Sequence, residues 1–268
     1  MDMTAAAAGQ IYRPPTNTTL TPAVAPGDRP PTEGPLRQRG IGVICPFDMA
    51  LDRELWRWMP PEVSLFFTRT VFVDEPVSVE LALEVSDTAD ILIAARNLSG
   101  VSPEVMAYAC TSGSFVNGVA GSDRIIAAME RGGAPRAFTT SGALVDALDY
   151  LGVQRLVVVT PYVADLAALL GDFLAESGRS VVAQSSLGLG ENIWQVPYAT
   201  TIELIRNADV PEAEAIFVSC TNLPTYDILK PLELELGKPI ISANQVTAWA
   251  ALRALGLAGV GPGQRLLD

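Results

Sequence analysis

From residue 40 onward, short apolar runs alternate with stretches in which apolar positions recur at helical spacing, the pattern of successive βα units around a parallel sheet. Gly40-Ile-Gly-Val-Ile-Cys45 reads as a buried strand stopped by Pro46, and the run from Arg53 to Met59 as a short helix closed by Pro60-Pro61. Ser64 to Thr70 is a strand rich in aromatic and β-branched residues. Val77 to Ile93 has the spacing of a crossover helix, with a strand as the alternative for its first residues. The apolar run from Val105 ends at Cys110, a helix follows over Ile125 to Arg131, and a second over Ser141 to Gly152, with Ser141 as its cap and Gly152 as its stop.

The pattern then restarts. Arg155 to Tyr162 is again a buried strand cut by proline, Ala164 to Gly178 a helix, Ser180 to Gln184 a strand and Tyr198 to Ala208 a helix. Ala215 to Cys220 is a strand, Asp227 to Leu236 a helix, Pro239 to Ser242 a strand, and Ala243 to Leu255 a helix ended by Gly256. The last residues before the strand-ending prolines, Cys45 and Thr160, precede Cys110 and Cys220 by 65 and 60 residues, and each half later carries a Ser-led helix. This reads as an internal duplication. The expected fold is α/β: two Rossmann-like lobes with mostly parallel sheets, related by a pseudo-two-fold axis. Residues 40–137 plus 243–268 form one lobe and residues 138–242 the other. Residues 1–39, with repeated prolines and no periodicity, read as a flexible N-terminal extension or, alternatively, as an arm around a neighbouring subunit.

Composition narrows the chemistry. The 268 residues carry 18 Lys plus Arg against 30 Asp plus Glu, a formal charge of −12, which argues against nucleic acid or an anionic membrane as partner. No apolar run is long enough to span a bilayer and the first residues lack the features of a signal peptide, so a cytoplasmic protein is expected. There is no histidine, so triads that use one are excluded, and proton transfer falls to Cys, Asp, Glu, Tyr or Lys. Three cysteines without close spacing make neither a disulfide framework nor a zinc site. No Gly-x-Gly-x-x-Gly or Walker motif occurs, and neither a metal nor a nucleotide cofactor is expected.

Two thiols stand out. A buried cysteine at a strand end is, taken singly, most often a small apolar filler. Cys110 and Cys220, however, lead into Thr111-Ser-Gly-Ser114 and Thr221-Asn-Leu-Pro-Thr225, small-residue turns whose N–H groups and hydroxyls can face an anion or a thiolate. In a parallel sheet these turns open on the crevice at the strand carboxyl ends. Two thiols on either side of one carbon can exchange a proton between its faces. Alternatively, one can add to an activated alkene while the other protonates the adjacent carbon. Both schemes place negative charge on a carboxylate, for which Ser112, Ser114, Thr221 and Asn222 are the candidate stabilisers. Cys45, before Pro46, has no such turn and reads as structural. Tyr162 is placed at the crevice by topology, where it either binds a carboxylate or packs. Asn192 lies in the Gly188-Leu-Gly-Glu-Asn192 loop.

Tyr108-Ala-Cys110, Val159-Thr-Pro-Tyr162, Glu191-Asn192, Ser219-Cys220-Thr221 and Ile241-Ser-Ala-Asn-Gln-Val-Thr-Ala-Trp249 together resemble the aspartate/glutamate racemase superfamily. Within it the likeness is to the maleate cis-trans isomerase and arylmalonate decarboxylase branch, nearest to the ectoine-utilisation protein A type, and runs from about Gly40 to Leu267. The resemblance implies an Asp/Glu racemase-like fold, no cofactor, usually a homodimer, and a site between the lobes. It implies Cys110 as nucleophile, Cys220 as acid/base, and Tyr162 and Asn192 as carboxylate-binding residues. It also implies a carboxylate-binding asparagine in the loop after the first strand, where this chain has Pro46-Phe-Asp-Met49: Met49 occupies that position and Asp48 the one before. Losing that amide and gaining a carboxylate weakens the hold on a second substrate carboxylate such as that of maleate, and favours a substrate with an ammonium or amide at that end, such as an amino acid or an ectoine breakdown product. The expected activity is isomerisation or racemisation of a small carboxylate. The alternatives are decarboxylation or hydrolysis through Cys220, and carboxylate binding without reaction; Thr111, Ser112, Thr221 and Asn222 complete the expected binding set.

Overall fold

The computed structural model describes residues 38–267. The N-terminal extension expected over residues 1–39 lies outside the described residues except for Gln38 and Arg39, and Arg39 already opens the first strand. Two four-stranded sheets, parallel throughout, follow one another in sequence. The first contains β1 (Arg39–Cys45), β2 (Val63–Arg69), β3 (Val105–Tyr108) and β4 (Ala137–Thr139) in the order β2-β1-β3-β4. The second contains β5 (Arg155–Thr160), β6 (Ser180–Ser186), β7 (Ala215–Val218) and β8 (Ile240–Ser242) in the order β6-β5-β7-β8.

The two sheets repeat one strand order, and the repetition extends to single hydrogen bonds. Ala109 N–H donates to Ile44 O at 2.7 Å, just beyond the β1–β3 ladder, and Ser219 N–H donates to Val159 O at 2.9 Å beyond β5–β7. In each sheet the chain leaves the first strand toward one edge and returns on its other side, so β1/β3 and β5/β7 are switch points where the following loops part and leave a crevice. Those loops carry Asp48, Cys110, Tyr162 and Cys220. The strands behind them are apolar and buried on both faces, as parallel strands covered by helices must be. A buried Val or Ile there contributes about 1.5–3 kcal/mol, which makes the strand ends a firm platform.

Ten α-helices are found among the described residues: α1 (Asp52–Trp56), α2 (Val79–Val85), α3 (Thr88–Ser99), α4 (Thr111–Phe115), α5 (Gly118–Arg131), α6 (Thr140–Leu151), α7 (Ala164–Glu176), α8 (Tyr198–Ala208), α9 (Tyr226–Leu236) and α10 (Ala243–Leu255). Helices α6 and α10 end on the left-handed glycines Gly152 and Gly256, at φ 69° and 71°. They pack on each other, tied by a 2.7 Å hydrogen bond between the Thr140 and Thr247 hydroxyls, and α10 also packs on β3. No helix among the described residues is long and apolar enough to cross a membrane.

Three local expectations are corrected. The helix expected over Val77 to Ile93 is two helices, because Asp87 leaves helical geometry and caps α3, its Oδ1 accepting from Ala89 N at 2.7 Å. Helix α5 begins at Gly118, seven residues before the expected start; Gly118 and Gly121 are weak helix formers and hid it. Helix α6 is capped by Thr139, whose Oγ1 accepts from Gly142 N at 3.0 Å, while Ser141 is buried and bonded to Ser114.

Candidate active site

Cys110 lies two residues past β3 and caps α4. Its Sγ receives Gly113 N–H at 3.4 Å and lies 3.7 Å from Ser112 Oγ. A side chain at residue 113 is ruled out by space: a Cβ there would sit 2.3 Å from Tyr108 Oη and 3.3 Å from the sulfur. Tyr108, fully buried, donates through Oη to Val85 O at 2.6 Å and so fastens α2 above the thiol. Burial pushes the Cys110 pKa up; the Gly113 N–H and the Ser112 hydroxyl draw it partly back, and the charge of Asp48 raises it again.

Cys220 occupies the matching place after β7 but is shaped differently. Its backbone is left-handed, at φ 87°, a conformation that costs a residue with a side chain about 1–3 kcal/mol. The turn is over-determined by its surroundings. Leu223 N–H donates to Cys220 O at 3.2 Å, Asn222 N–H reaches Cys220 Sγ at 3.4 Å, and Asn244 Nδ2 donates to Thr221 O at 3.0 Å. Asn244 in turn donates to the buried carboxylate of Glu54 at 3.0 Å, which also accepts the Thr225 and Tyr226 N–H groups at 2.7 and 3.0 Å. Cys220 keeps some exposure toward the crevice, yet the protein around it pushes its pKa up to about 12, with the Asn222 N–H opposing and Asp48 adding to the rise.

Both sulfurs line one cavity, about 450 Å³ of empty space partly open to solvent. Asp48, Tyr162 and the two turns, through Thr111, Ser112, Thr221 and Asn222, share it. Thr111 is 1% exposed and its hydroxyl has no partner in the protein. Tyr162, also 1% exposed, accepts a hydrogen bond from Ser219 Oγ at 3.4 Å, and burial raises its pKa far above the usual phenol range. Asn222 is committed to the loop after β1: Nδ2 donates to Asp48 O at 3.0 Å and Oδ2 at 3.3 Å, and Oδ1 accepts Ala50 N–H at 2.8 Å. From the other side Arg69 Nη1 donates to the carbonyls of Pro46, Phe47 and Met49.

Two expected binding residues lie elsewhere. Met49 is 2% exposed, packed in the core that holds Leu55 and Trp58, while Asp48 faces the cavity. Asn192, at φ 55°, lines the outer groove that leads to the cavity, and the neighbouring Ile193 forms part of the inner wall. Sequence reasoning missed the opposite wall, made by Val77, Ser78, Leu81, Ala82 and Val85 of α2 and its lead-in. Its apolar stripe carries the same signal as any core-facing helix. Glu54 and Asn244 were missed because their partners are more than 170 residues away for Glu54 and 23 residues away for the Asn244–Thr221 bond. Among the described residues no three His, Cys, Asp or Glu side chains converge to hold a metal ion.

Known proteins resemble this chain in sequence and fold. The arylmalonate decarboxylase family model matches residues 59–267. The arylmalonate decarboxylase of Bordetella bronchiseptica is 33% identical over 166 residues, 60% of this chain and 69% of the relative. A cysteine-to-alanine variant of the maleate isomerase Iso from Pseudomonas putida S16, solved with maleate, superposes with a TM-score of 0.78 at 26% identity, over 85% of this chain and 97% of that one. A cysteine-to-serine variant of the Nocardia farcinica maleate cis-trans isomerase, with a covalently bound succinylcysteine intermediate, gives 0.75 at 26% identity over 85% and 98%. The family-model match over most of the chain and the shared strand order place this protein in the arylmalonate decarboxylase family, with the Asp/Glu racemase-like fold of the maleate isomerases.

Proposed function

We propose that the protein is a cysteine-dependent isomerase or racemase of a small carboxylate that works without a cofactor. The observation that carries this reading is the pair of thiols on one cavity, differently solvated by their turns. Cys110 has the Gly113 N–H and the Ser112 hydroxyl to offset burial and stabilise a thiolate, whereas the surroundings of Cys220 push its pKa up to about 12. Cys110 is accordingly the nucleophile and Cys220 the proton donor. The Cys110 sulfur adds to one alkene carbon, the π electrons move onto the other carbon and its carboxylate, and the Cys220 proton goes to that carbon. Rotation about the new single bond and the reverse steps expel the sulfur, return the proton to Cys220 and leave the other geometric isomer. The hydroxyls of Thr111, Ser112, Tyr162 and Thr221 hold the developing negative charge, and the apolar α2 wall keeps water from the carbanion.

The covalent succinylcysteine in the Nocardia farcinica relative is the intermediate such a mechanism needs. Sequence resemblance further suggests a homodimer, a cytoplasmic setting and a place in ectoine utilisation. The test is incorporation of solvent deuterium into candidate cis-alkenoates and amino acids by wild type, C110A and C220A. Exchange by wild type that is lost in both variants is expected; exchange undiminished without the thiols overturns the reading. A second reading, decarboxylation with Cys220 protonating the carbanion, is favoured by the α2 wall, since an apolar contact destabilises a departing carboxylate. Carbon dioxide release from an arylmalonate by C110A would select it.

A further inference from the structure

The cavity is only partly open to solvent. It continues past Asp48, Val77, Leu81 and Asn222 into a wider vestibule between the segment after β2 and the loop before the 3-10 turn Ile193–Gln195. The vestibule presents four carboxyl side chains, Asp48, Asp74, Glu75 and Glu191, and three aromatic rings, Phe47, Phe72 and Trp194. Phe47 and Phe72 meet edge to face with centroids 5.1 Å apart, and Phe72 and Trp194 are 68% and 46% exposed. Among the described residues, no Lys or Arg lines either the cavity or the vestibule. The nearby Arg69 stands behind the Asp48 loop with its Nη1 turned to three backbone carbonyls. The inner end of the same passage is of the opposite kind: it offers hydroxyl donors, one of which, on Thr111, is buried without a partner.

The passage is thus polarised, with donors and an unpartnered hydroxyl inside and carboxylates with open π faces outside. We propose that the substrate is a zwitterion: a carboxylate whose far end carries an ammonium or amidinium group, held by the hydroxyls within and by Asp48, Glu191 and the vestibule rings without. A cation gains both from the carboxylates and from the ring faces, whereas the second carboxylate of a diacid meets like charge that Arg69, standing behind the Asp48 loop, offsets only in part. This rests on the proposed function only in placing a carboxylate in the inner cavity.

The test uses two four-carbon cis-alkenoates that differ at the far end, maleate and cis-4-aminocrotonate, on the full chain. Each is titrated as protection of Cys110 and Cys220 against iodoacetamide, a neutral reagent, read peptide by peptide by mass spectrometry. Half-protection by cis-4-aminocrotonate at a concentration roughly tenfold or more below that of maleate is expected, with the gap narrowing in E191Q, in D74N/E75Q and at high salt. Equal or better protection by maleate, protection by neither acid, or a gap unchanged in both sets of variants overturns the proposal. Protection requires no turnover, so its failure is separate from that of the thiol mechanism. If maleate protects best and exchanges deuterium, the zwitterion proposal falls and the isomerase reading stands. If the ammonium preference holds while exchange survives in C110A and C220A, the isomerase reading falls alone.

Discussion

Asn222 grips Asp48 twice, at the backbone oxygen and at Oδ2, from a turn 174 residues away, and Ala50 N–H closes the bracket on Asn222 Oδ1. One amide thus fixes the loop after β1 to the turn that carries Cys220. With Asn222 only 5% exposed, Asn222→Ala strands the Asp48 carbonyl and the Ala50 N–H, and a loss of about 1–3 kcal/mol of unfolding free energy is expected. Asn222→Asp keeps the bond from Ala50 but sets a carboxylate against Asp48, whose pKa burial already raises. At pH 8 it should be less stable than Asn222→Ala, and the deficit should shrink toward pH 5 as the pair takes up a proton. Urea unfolding at both pH values checks this; equal destabilisation of the two variants at both would refute it.

The left-handed backbone of Cys220 makes a second prediction about stability against function. Ala and Gly both remove the sulfur and its N–H contact, but only Gly adopts φ 87° without strain. Cys220→Gly should be about 1 kcal/mol more stable than Cys220→Ala, net of the greater entropy of unfolded glycine. Neither should turn over. A Cys220→Ala protein as stable as Cys220→Gly would mean that the turn relaxes without cost.

Much of this arrangement was legible in the sequence, because its signals are local. Apolar runs stopped by Pro46 and Pro161 marked the equivalent strands, and small polar residues after Cys110 and Cys220 marked the turns. The break at Asp87 was less visible, since α2 and α3 bury the same kind of stripe and only the cap divides them. Which of Asp48 and Met49 faces the cavity depends on how Arg69 and Asn222 hold the loop, and residue spacing does not encode that. Glu54 was illegible for the same reason. Its ligands come from the β7–α9 turn and from α10, and nothing near Glu54 in the chain announces them.

Glu54 offers a third prediction. Its two oxygens accept four hydrogen bonds, from the Thr225 and Tyr226 N–H groups, the Thr225 hydroxyl and Asn244, and all four donors hold the turn of Cys220 or the start of α9. Glu54→Gln replaces one accepting oxygen with an NH₂ group that faces donors, so about 1–3 kcal/mol of stability is expected to go. Because Glu54 does not line the cavity, the kinetic effect should come through the position of Cys220: a fall in kcat exceeding any change in KM, with slower alkylation differences confined to Cys220. Equal effects on Cys110 and Cys220 reactivity would instead indicate general loosening.

The third thiol allows the alkaline limb of stability to be assigned. Cys45 is 1% exposed, donates to Thr68 O at 3.4 Å, and has its pKa pushed up to about 12 by burial, only partly offset by Arg69. In the unfolded chain a thiol ionises near pH 8.5, roughly as in a model peptide. Between that value and about 12 the unfolded state has shed this proton while the folded state keeps it, so stability declines as pH rises, by up to about 1.4 kcal/mol per pH unit for this one group. Below that window the contribution is complete. Cys45→Ala removes the titration at the expense of a small cavity, so it should start less stable at pH 7.5 and lose less between pH 9 and 10.5 than wild type. Urea unfolding across that range reads the difference in slope; parallel curves for wild type and Cys45→Ala would show that the folded thiol ionises as easily as the unfolded one.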